Sequence, residues 1–359
     1  MKKNLIFFCP RIDFGGLEKT LTIYSNFLSK FYNIIILTNC EYKNKLKISK
    51  KIKIYNKKNK FFYKFRLLNN IYCVFLYIKY FKNFEKVFSM QDHLFFLFLK
   101  IIKKNFKLII RTSTTIINNK NIYEQKNLKK LKFLKFFTIF FYKFADLIIT
   151  FSEENKKYIE KKTNNKVLVL YNHFPQKKII KNKINLENIF FIGRLVEDKD
   201  PIFFIRQLIK IRKKFNFKIH LIGKGYLYNE IKNYERKFPK IIKFHGYVKN
   251  PFEKFKNKID LFCVTSRYDG TPNVLGEAMS FGIPCLAPKN VGLSSFMLNN
   301  SKFGYLYDPQ KKDNFLKKII QIKKQYKFAK KKAKKGYNSM KRFNKKNTLF
   351  KLQDAINSI

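Results

Sequence analysis

Short apolar runs alternate with segments of helical periodicity along the first half of the chain. Between the first two runs, Leu17, Leu21, Tyr24 and Leu28 recur at helical spacing. Strands interleaved with helices predict a parallel sheet with helices on both faces. The predicted strands of this half are Leu5–Cys9, Ile34–Thr38, Val87–Ser89, Leu108–Arg111, Leu147–Phe151 and Val167–Tyr171.

A polar, Lys-rich stretch at Asn172–Glu187, which contains Pro175, interrupts this pattern before it restarts. A chain of 359 residues exceeds the size at which one core keeps growing, so two domains are expected. We predict one domain over residues 1–175, a second over 176–340, and a C-terminal helix at 341–359 that packs back towards the first. The predicted strands of the second half are Ile189–Ile192, Lys218–Ile222, Ile242–Phe244, Leu261–Thr265 and Pro284–Ala287.

Two consecutive open α/β units predict a ligand cleft between them, at the carboxyl ends of the strands. The strong positive charge of the chain indicates which kinds of partner it binds. The formal net charge of +55 comes from 78 basic and 23 acidic residues and predicts anionic partners: phosphorylated ligands, acidic phospholipid or nucleic acid. The lysines are spread along the whole chain, and no zinc-finger, helix-turn-helix or RNP-like pattern is present, so nucleic acid is not the expected partner.

The cysteines and the apolar runs of the sequence indicate the cellular compartment of the protein. The five cysteines have no metal-ligand or redox spacing, which predicts buried free thiols in a reducing compartment and no metal site. The apolar stretch near the N-terminus is shorter than the roughly seven residues of a secretory signal core. No uncharged apolar run approaches the ~18 residues of a spanning helix. We therefore expect a cytoplasmic protein, peripheral on the inner face of the plasma membrane.

The first candidate site is a glycine turn after the first strand. Gly15 and Gly16 open a helix, where backbone N–H groups and the helix dipole favour an anion. An ordinary strand-to-helix turn needs glycine as well, so the motif alone leaves both interpretations open.

The second candidate site follows the first strand of the second half. That strand ends at Gly193, and Arg194 and Lys199 lie five residues apart on the loop. Two cations at the carboxyl end of a strand can neutralise a diphosphate leaving group.

The third candidate site is the segment 266–278, in which Asp269 and Glu277 lie eight positions apart across a turn that opens a helix. The turn of Thr271, Pro272 and Asn273 can direct backbone N–H groups at a phosphate, and the carboxylates can bind sugar hydroxyls. Acidic capping of a helix would explain one carboxylate, but it explains neither the second one nor the proline.

Together these blocks resemble the retaining GT-B glycosyltransferases of family 4, and the resemblance spans nearly the whole chain. It implies two Rossmann-like domains whose parallel sheets face each other across a cleft. The motifs that carry it are GGLEKT (15–20), ADLIITFSEENKKY (145–158), YNHF (171–174), GRLVEDK (193–199), LIGKG (221–225), FHGYVKNP (244–251) and SRYDGTPNVLGEAMSFGIPCLA (266–287).

The resemblance assigns roles to matching residues. Arg194 and Lys199 match the pair that contacts the donor phosphates, and Glu277 matches the residue that binds the nucleotide ribose. Asp269 stands where the family usually has Glu and is expected to contact the donor sugar. Two backbone segments complete the donor site: the glycine loop Gly15–Gly16, which closes on the diphosphate, and Gly246, Tyr247 and Val248, which lodge the base.

Two positions depart from the family pattern. Ser295 replaces a commonly acidic residue, and Asp200 follows Lys199 where glycine is frequent. Neither departure breaks the predicted phosphate site, and both are expected to alter the donor preference.

The acceptor side is less clearly marked. His93, Arg111 and Ser113 follow strands of the first domain and are candidates for acceptor contacts, although a lone histidine beside an apolar run is often structural. The segment Lys126–Phe144 alternates basic and large apolar residues. It fits a basic amphipathic helix on an anionic membrane, or a core-facing helix with a solvated lysine face.

The predicted activity is transfer of a hexose from a UDP- or GDP-linked sugar to a glycan or lipid-linked acceptor. The resemblance implies retention of configuration, with a metal-independent site that needs no cofactor and stabilises the leaving diphosphate. Such a reaction serves cell-surface polysaccharide or lipopolysaccharide synthesis. A sugar-nucleotide epimerase or a phosphorylase of the same fold is an alternative, and a basic nucleic-acid-binding protein is one from a different class.

Overall fold

The computed structural model describes residues 2–12, 16–40, 48–112, 137–179 and 185–359. These residues form two compact units, each built on its own parallel sheet. The first unit contains the described residues up to Asn172 together with Lys345–Ile359, and the second unit is His173–Asn344.

The sheet of the first unit has seven parallel strands in the order β3-β2-β1-β4-β5-β6-β7. Its strands are β1 (Asn4–Phe8), β2 (Asn33–Thr38), β3 (Lys53–Asn56), β4 (Lys86–Ser89), β5 (Lys107–Arg111), β6 (Leu147–Thr150) and β7 (Val167–Val169). The helices of its first half are α1 (Gly16–Leu28), α2 (Lys60–Lys64), α3 (Arg66–Phe81) and α4 (Leu94–Ile102), and they are followed by a helical turn at 137–141 and by α5 (Glu153–Thr163).

Successive side chains of a strand point to opposite faces, and both faces of this sheet are buried. Leu5 and Phe7 of β1 pack in one apolar cluster with α1, whereas Ile6 and Phe8 pack in the other with α3 and α4. The run of Leu, Ile and Phe in β1 therefore reflects helices on both sides of the sheet.

The second sheet has six parallel strands in the order β10-β9-β8-β11-β12-β13. Its strands are β8 (Asn188–Ile192), β9 (Lys218–Ile222), β10 (Ile242–Phe244), β11 (Leu261–Cys263), β12 (Cys285–Pro288) and β13 (Tyr305–Tyr307). The helices of this unit are α6 (Pro201–Lys210), α7 (Tyr228–Lys237), α8 (Pro251–Phe255), α9 (Asn273–Ser280), α10 (Ser294–Met297), α11 (Asn314–Lys324) and α12 (Tyr326–Ser339).

The last helix, α13 (Lys351–Asn357), belongs to the first unit. It buries Leu352 and Ile356 in the cluster that also holds Leu5 and Phe7 of β1. The Lys86 ammonium donates to the carbonyl oxygen of Ile356 at 2.5 Å, which satisfies an otherwise orphaned oxygen of the helix end. The chain thus returns at its end to complete the first core.

The predicted fold class is confirmed: both sheets are parallel and covered by helices, with the strands of the sequence patterns in place. The patterns missed β3 and β13, which lie at sheet edges. β3 is only partly buried, and β13 has three residues, so neither carries an apolar run long enough to stand out. All five cysteines are buried free thiols, as expected.

Candidate active site

The order of strands marks one place in each sheet where a ligand is expected. In the second sheet, successive strands progress outwards on one side from β8 to β10 and on the other side from β11 to β13. In open α/β sheets, ligands bind at the carboxyl ends of the strands where this direction reverses. The loops that follow β8 and β11 are those with Arg194 and Lys199 and with Asp269 and Thr271.

Glycines let the loop after β9 pack directly on the loop after β8. The Gly193 N–H donates to the Ile222 carbonyl at 3.0 Å, and the Leu195 N–H to that of Lys224 at 2.9 Å. A Cβ atom on Gly223 would lie 1.8 Å from the Gly193 oxygen, and one on Gly225 would lie 2.2 Å from the Leu195 oxygen. No side chain fits at either position, so the backbone around Arg194 is fixed while its side chain remains exposed.

Two ion pairs join the loop after β8 to the loop after β11. The Lys199 ammonium lies 2.5 Å from the Asp269 carboxylate, with both side chains mostly buried. The Arg267 guanidinium lies 2.6 Å from the Asp200 carboxylate. The Thr265 hydroxyl adds a hydrogen bond to the Lys199 carbonyl at 2.9 Å. Lys199 and Asp269, predicted from separate motifs, therefore form one charged cluster.

Asp200 stands where the family frequently has glycine, and its backbone and contacts show how aspartate is accommodated there. Its φ of +48° lies in the left-handed region, which aspartate tolerates better than most residues. Its carboxylate also caps α6 by accepting the N–H of Phe203 at 3.1 Å and pairs with Arg267. The side chain thus offsets the cost of the backbone conformation. The sequence patterns did not single out Arg267 as a site residue.

The backbone of Gly292 packs closely against the segment around Asp269. Gly292 has a φ of +51°, and a Cβ there would lie 2.3 Å from the Gly270 carbonyl oxygen. The Leu293 N–H donates to the same oxygen at 3.1 Å. Ser295, at the second departure from the family pattern, accepts the N–H of Asn290 at 3.3 Å and so holds this supporting loop.

Helix α9 begins directly after this turn. Pro272 occupies the N-cap position and offers no side-chain acceptor, so capping by an acidic side chain does not account for the segment. Glu277 lies half-buried one turn into the helix. A Cβ on Gly276 would lie 2.6 Å from the ring of Phe174, which places this face of α9 against Phe174 of the same unit.

The predicted base-binding segment follows β10. Gly246 has a φ of +64°, and its carbonyl accepts the Gly223 N–H at 2.8 Å, which joins this segment to the glycine loop. Tyr247 is exposed, and the Lys224 ammonium lies 5.4 Å from the centre of its ring. Lys224 belongs to the LIGKG motif but was not predicted as a site residue.

Behind Gly246 lies a buried polar chain that sequence reasoning missed. The His245 and His220 rings are 3.0 Å apart at Nε2 and Nδ1, and His220 Nε2 lies 3.0 Å from the Asn188 side-chain oxygen. Asn188 in turn donates to Asp260 at 3.0 Å. Burial lowers the pKa of His220 to about 3, so the ring is neutral at pH 7. No spacing pattern links these residues, because they come from four different strand regions.

In the first unit, the corresponding reversal lies between β1 and β4. His93 follows β4 and is buried, with Nδ1 2.8 Å from the Ser89 hydroxyl. Burial lowers the pKa of His93 to about 4, and a hydrogen bond with the Arg111 backbone opposes this shift. Arg111 is also buried and donates to the Asn172 side chain at 2.9 Å. The structure thus brings His93 and Arg111 together at one sheet edge.

Some predicted residues lie outside the described part of the chain. Gly15 and Ser113 are among them, as is most of the segment Lys126–Phe144. Gly16 is described and is the first residue of α1. Within the described ranges, no group of three or more His, Cys, Asp or Glu residues is arranged to hold a metal ion. No helix of these ranges has the length and apolarity to span a bilayer.

Comparison with known proteins shows what these loops are similar to. Residues 187–325 match the family model described as glycosyl transferases group 1. This match covers the loops after β8, β9, β10 and β11.

Two relatives and one solved structure extend the comparison. An uncharacterized glycosyltransferase of Methanocaldococcus jannaschii is 29% identical over 66% of this chain, and the match spans 64% of its length. The GalNAc-alpha-(1->4)-GalNAc-alpha-(1->3)-diNAcBac-PP-undecaprenol alpha-1,4-N-acetyl-D-galactosaminyltransferase of Campylobacter jejuni is 24% identical over 78% of this chain and 77% of its own length. Anabaena HepE in complex with UDP-glucose superposes with a TM-score of 0.77, at 14% identity, over 99% of this chain and 100% of that one.

The two parallel α/β units define the GT-B fold of glycosyltransferases, as the sequence motifs predicted. This fold agrees with the match of residues 187–325 to the glycosyl transferases group 1 family.

Proposed function

We propose that this protein transfers a hexose from a nucleoside-diphosphate sugar to a saccharide or lipid-linked acceptor, with retention of configuration. The observation that carries the proposal is that the loops after β8 and β11 are joined. These loops lie where the order of strands in the second sheet reverses. These loops bring Lys199 and Asp269 together on a backbone fixed by glycines, and Arg194 lies on the same loop as Lys199.

The charges of this cluster suit a donor diphosphate. Lys199 pairs with Asp269, so the ammonium lies at the site without leaving a buried charge uncompensated. An incoming diphosphate would compete for Lys199 and free the Asp269 carboxylate for a sugar hydroxyl. Arg194 adds an exposed guanidinium that can bind phosphate oxygens in a bidentate manner.

The remaining parts of the donor site are assigned by position. Thr271, Pro272 and Asn273 lie at the start of α9, where backbone N–H groups favour a phosphate. Glu277 would bind the ribose, Gly193 and Gly16 would allow close approach of the phosphates, and Tyr247 with its neighbours would hold the base. The donor base is proposed to be uracil or guanine. HepE, whose complex contains UDP-glucose, has the same fold.

The relatives suggest the acceptor class. The Campylobacter relative is named for a polyprenyl-diphosphate-linked glycan, and a further relative of Escherichia coli is named a lipopolysaccharide 1,6-galactosyltransferase. We therefore assign this chain to lipopolysaccharide or cell-surface polysaccharide synthesis, in the cytoplasm at the inner face of the plasma membrane. His93 and Arg111 are the proposed acceptor-side residues.

Replacing Arg194 tests the donor half of the proposal. Arg194→Ala should lower the rate of UDP release from the preferred UDP-sugar by about 10²–10³-fold, because one stabiliser of the leaving group is lost. The matched control is Arg206→Ala, another exposed arginine of the same unit that lies on α6 and pairs with Glu230. Turnover measured on both variants, with UDP and GDP binding followed by thermal shift, decides the role.

The assignment of Arg194 fails if its variant turns over like the Arg206 variant. The whole donor proposal fails if neither UDP nor GDP raises the melting temperature. Retention is read from the anomeric configuration of the product by NMR, and an inverted product contradicts it. A metal-independent reaction is expected to continue in excess EDTA.

A further inference from the structure

Helix α3 has an apolar side that the first unit leaves exposed. Its inner residues Cys73 and Tyr77 are buried against the sheet. Its outer residues Leu67, Ile71 and Phe75 follow one another at one-turn spacing and are 63%, 46% and 54% exposed. A surface helix in water normally carries polar residues on that side.

Neighbouring elements extend this exposed side. Phe61 of α2 and Phe65, between α2 and α3, are also exposed. Helices α3 and α4 cover the same face of the sheet, where the rings of Tyr77 and Phe96 lie 5.1 Å apart. The outer side of α4 presents Phe98, Ile101 and Ile102. We call the outer sides of α2, α3 and α4 the apolar outer face.

The surroundings of this face are basic. Residues 42–84 contain no Asp or Glu. Exposed cations flank the apolar side chains at both ends of α3, and they are Lys57, Lys58, Lys60, Lys64, Arg66, Lys79 and Lys82. Arg66 pairs with Asp92, and the other cations of this set have no ion pair among the described contacts. Exposed apolar residues bordered mainly by cations are typical of a surface that meets anionic lipid.

The exposed large apolar side chains differ in kind between the two units, although both units are rich in Phe and Lys. In the second unit, however, four of the exposed large apolar side chains are tyrosines, which keep a hydroxyl in water. The exposed Leu, Ile and Phe side chains follow one another along a helix at the apolar outer face instead.

We propose that the apolar outer face docks this protein on an anionic phospholipid bilayer. Leu67, Ile71 and Phe75 would enter the interface between headgroups and acyl chains, and the flanking lysines would bind the headgroups. The described end of the segment Lys126–Phe144 adjoins this face, because the rings of Phe98 and Phe137 lie 6.4 Å apart. This surface would hold the proposed transferase beside a lipid-linked acceptor, but docking itself does not depend on the donor chemistry.

The test is flotation of the full chain with vesicles, in the absence of nucleotide. The wild type should bind vesicles of phosphatidylglycerol and phosphatidylcholine but not vesicles of phosphatidylcholine alone. The triple variant Leu67→Gln, Ile71→Gln, Phe75→Gln should lose at least about 100-fold in affinity, because three apolar side chains no longer enter the interface. The variant Lys60→Gln, Lys64→Gln, Lys79→Gln should lose on the order of 100-fold.

A matched pair of single variants guards against misfolding. Phe75→Gln should weaken binding about tenfold. Phe328→Gln replaces an equally exposed phenylalanine of the second unit and should bind like the wild type. The binding of UDP and GDP should be the same in all variants, which separates failure of docking from failure of the donor site.

Three results would overturn the proposal. The first is wild-type binding that is absent or equally strong on neutral vesicles, and the second is a triple variant that still floats like the wild type. The third is a triple variant that changes from dimer to monomer in solution while its vesicle binding is unchanged, since the face would then be a contact between two copies of the chain.

Discussion

The carboxyl edges of the two sheets are built by different means. In the second unit, backbone approaches at Gly223 and Gly225 and the ion pairs of Lys199 and Arg267 fix the loops. In the first unit, buried side chains such as His93 and Arg111 join neighbouring strand ends. A diphosphate must be met by backbone N–H groups at close range, which requires glycine and loops of fixed shape. The first edge also carries the glycine turn at Gly16, but the side chains of His93 and Arg111 follow no comparable pattern in the sequence.

We expect the largest effect from a variant that breaks the backbone contact between Gly223 and Gly193 in the second unit. Gly223→Ala should lower the free energy of unfolding by about 3 kcal/mol, because the added methyl group overlaps the Gly193 oxygen and the loops must separate. Denaturant titration of the full chain measures this change.

Gly246→Ala is the matched control for the glycine loop. Its Cβ would meet nothing within 4 Å, so only the left-handed backbone costs energy, about 1 kcal/mol. Equal losses for the two variants would show that close approach is not what requires glycine at Gly223.

A pH titration compares the buried histidines of the two units. The folded-state pKa is about 3 for His220 and about 4 for His93, both below the ordinary 6.5 because burial disfavours the charged ring. Below pH 6.5 the unfolded chain therefore takes up protons that the folded chain does not. Each histidine should stabilise the fold above that pH and lose up to about 3 kcal/mol of this contribution as the pH falls towards 4.

His220→Gln and His93→Gln separate the two contributions. Each should flatten the dependence of unfolding free energy on pH between 6.5 and 4, and the effect of His220 should extend to the lower pH. A slope that neither variant changes would mean that other groups control acid unfolding.

We expect the smallest changes in stability from variants that remove one ion pair in each unit. Arg267→Ala should cost about 1 kcal/mol, since Asp200 is nearly buried and also caps α6. Arg66→Ala should cost less, about 0.5 kcal/mol, because the arginine paired with Asp92 is mostly exposed. Thermal unfolding of both variants ranks the pairs, and a larger loss for Arg66 would reverse the comparison.

The sequence allowed most of the fold to be predicted, and it supplied the residues proposed for the donor half of the site. The strands at the centres of both sheets are continuous apolar runs because both faces of each sheet are buried. The edge strands β3 and β13 were not predicted because β3 is partly exposed and β13 is short. Arg194, Lys199, Asp269 and Glu277 could be proposed as donor-site residues because each lies in a local motif. Arg267 and Lys224 lie in the same motifs, but a chain with 78 basic residues gives no sign of which cations matter.

The sequence by itself determined the two α/β units, the glycine turns and the charged residues near the strand ends, because short-range spacing encodes them. Only the tertiary structure decided that Lys199 faces Asp269 and that four distant residues form the chain from His245 to Asp260. It also decided that the apolar side of α3 is exposed in the described part of the chain. Each of these depends on which strands lie side by side and which helix faces meet them. Local periodicity carries no information on such pairings.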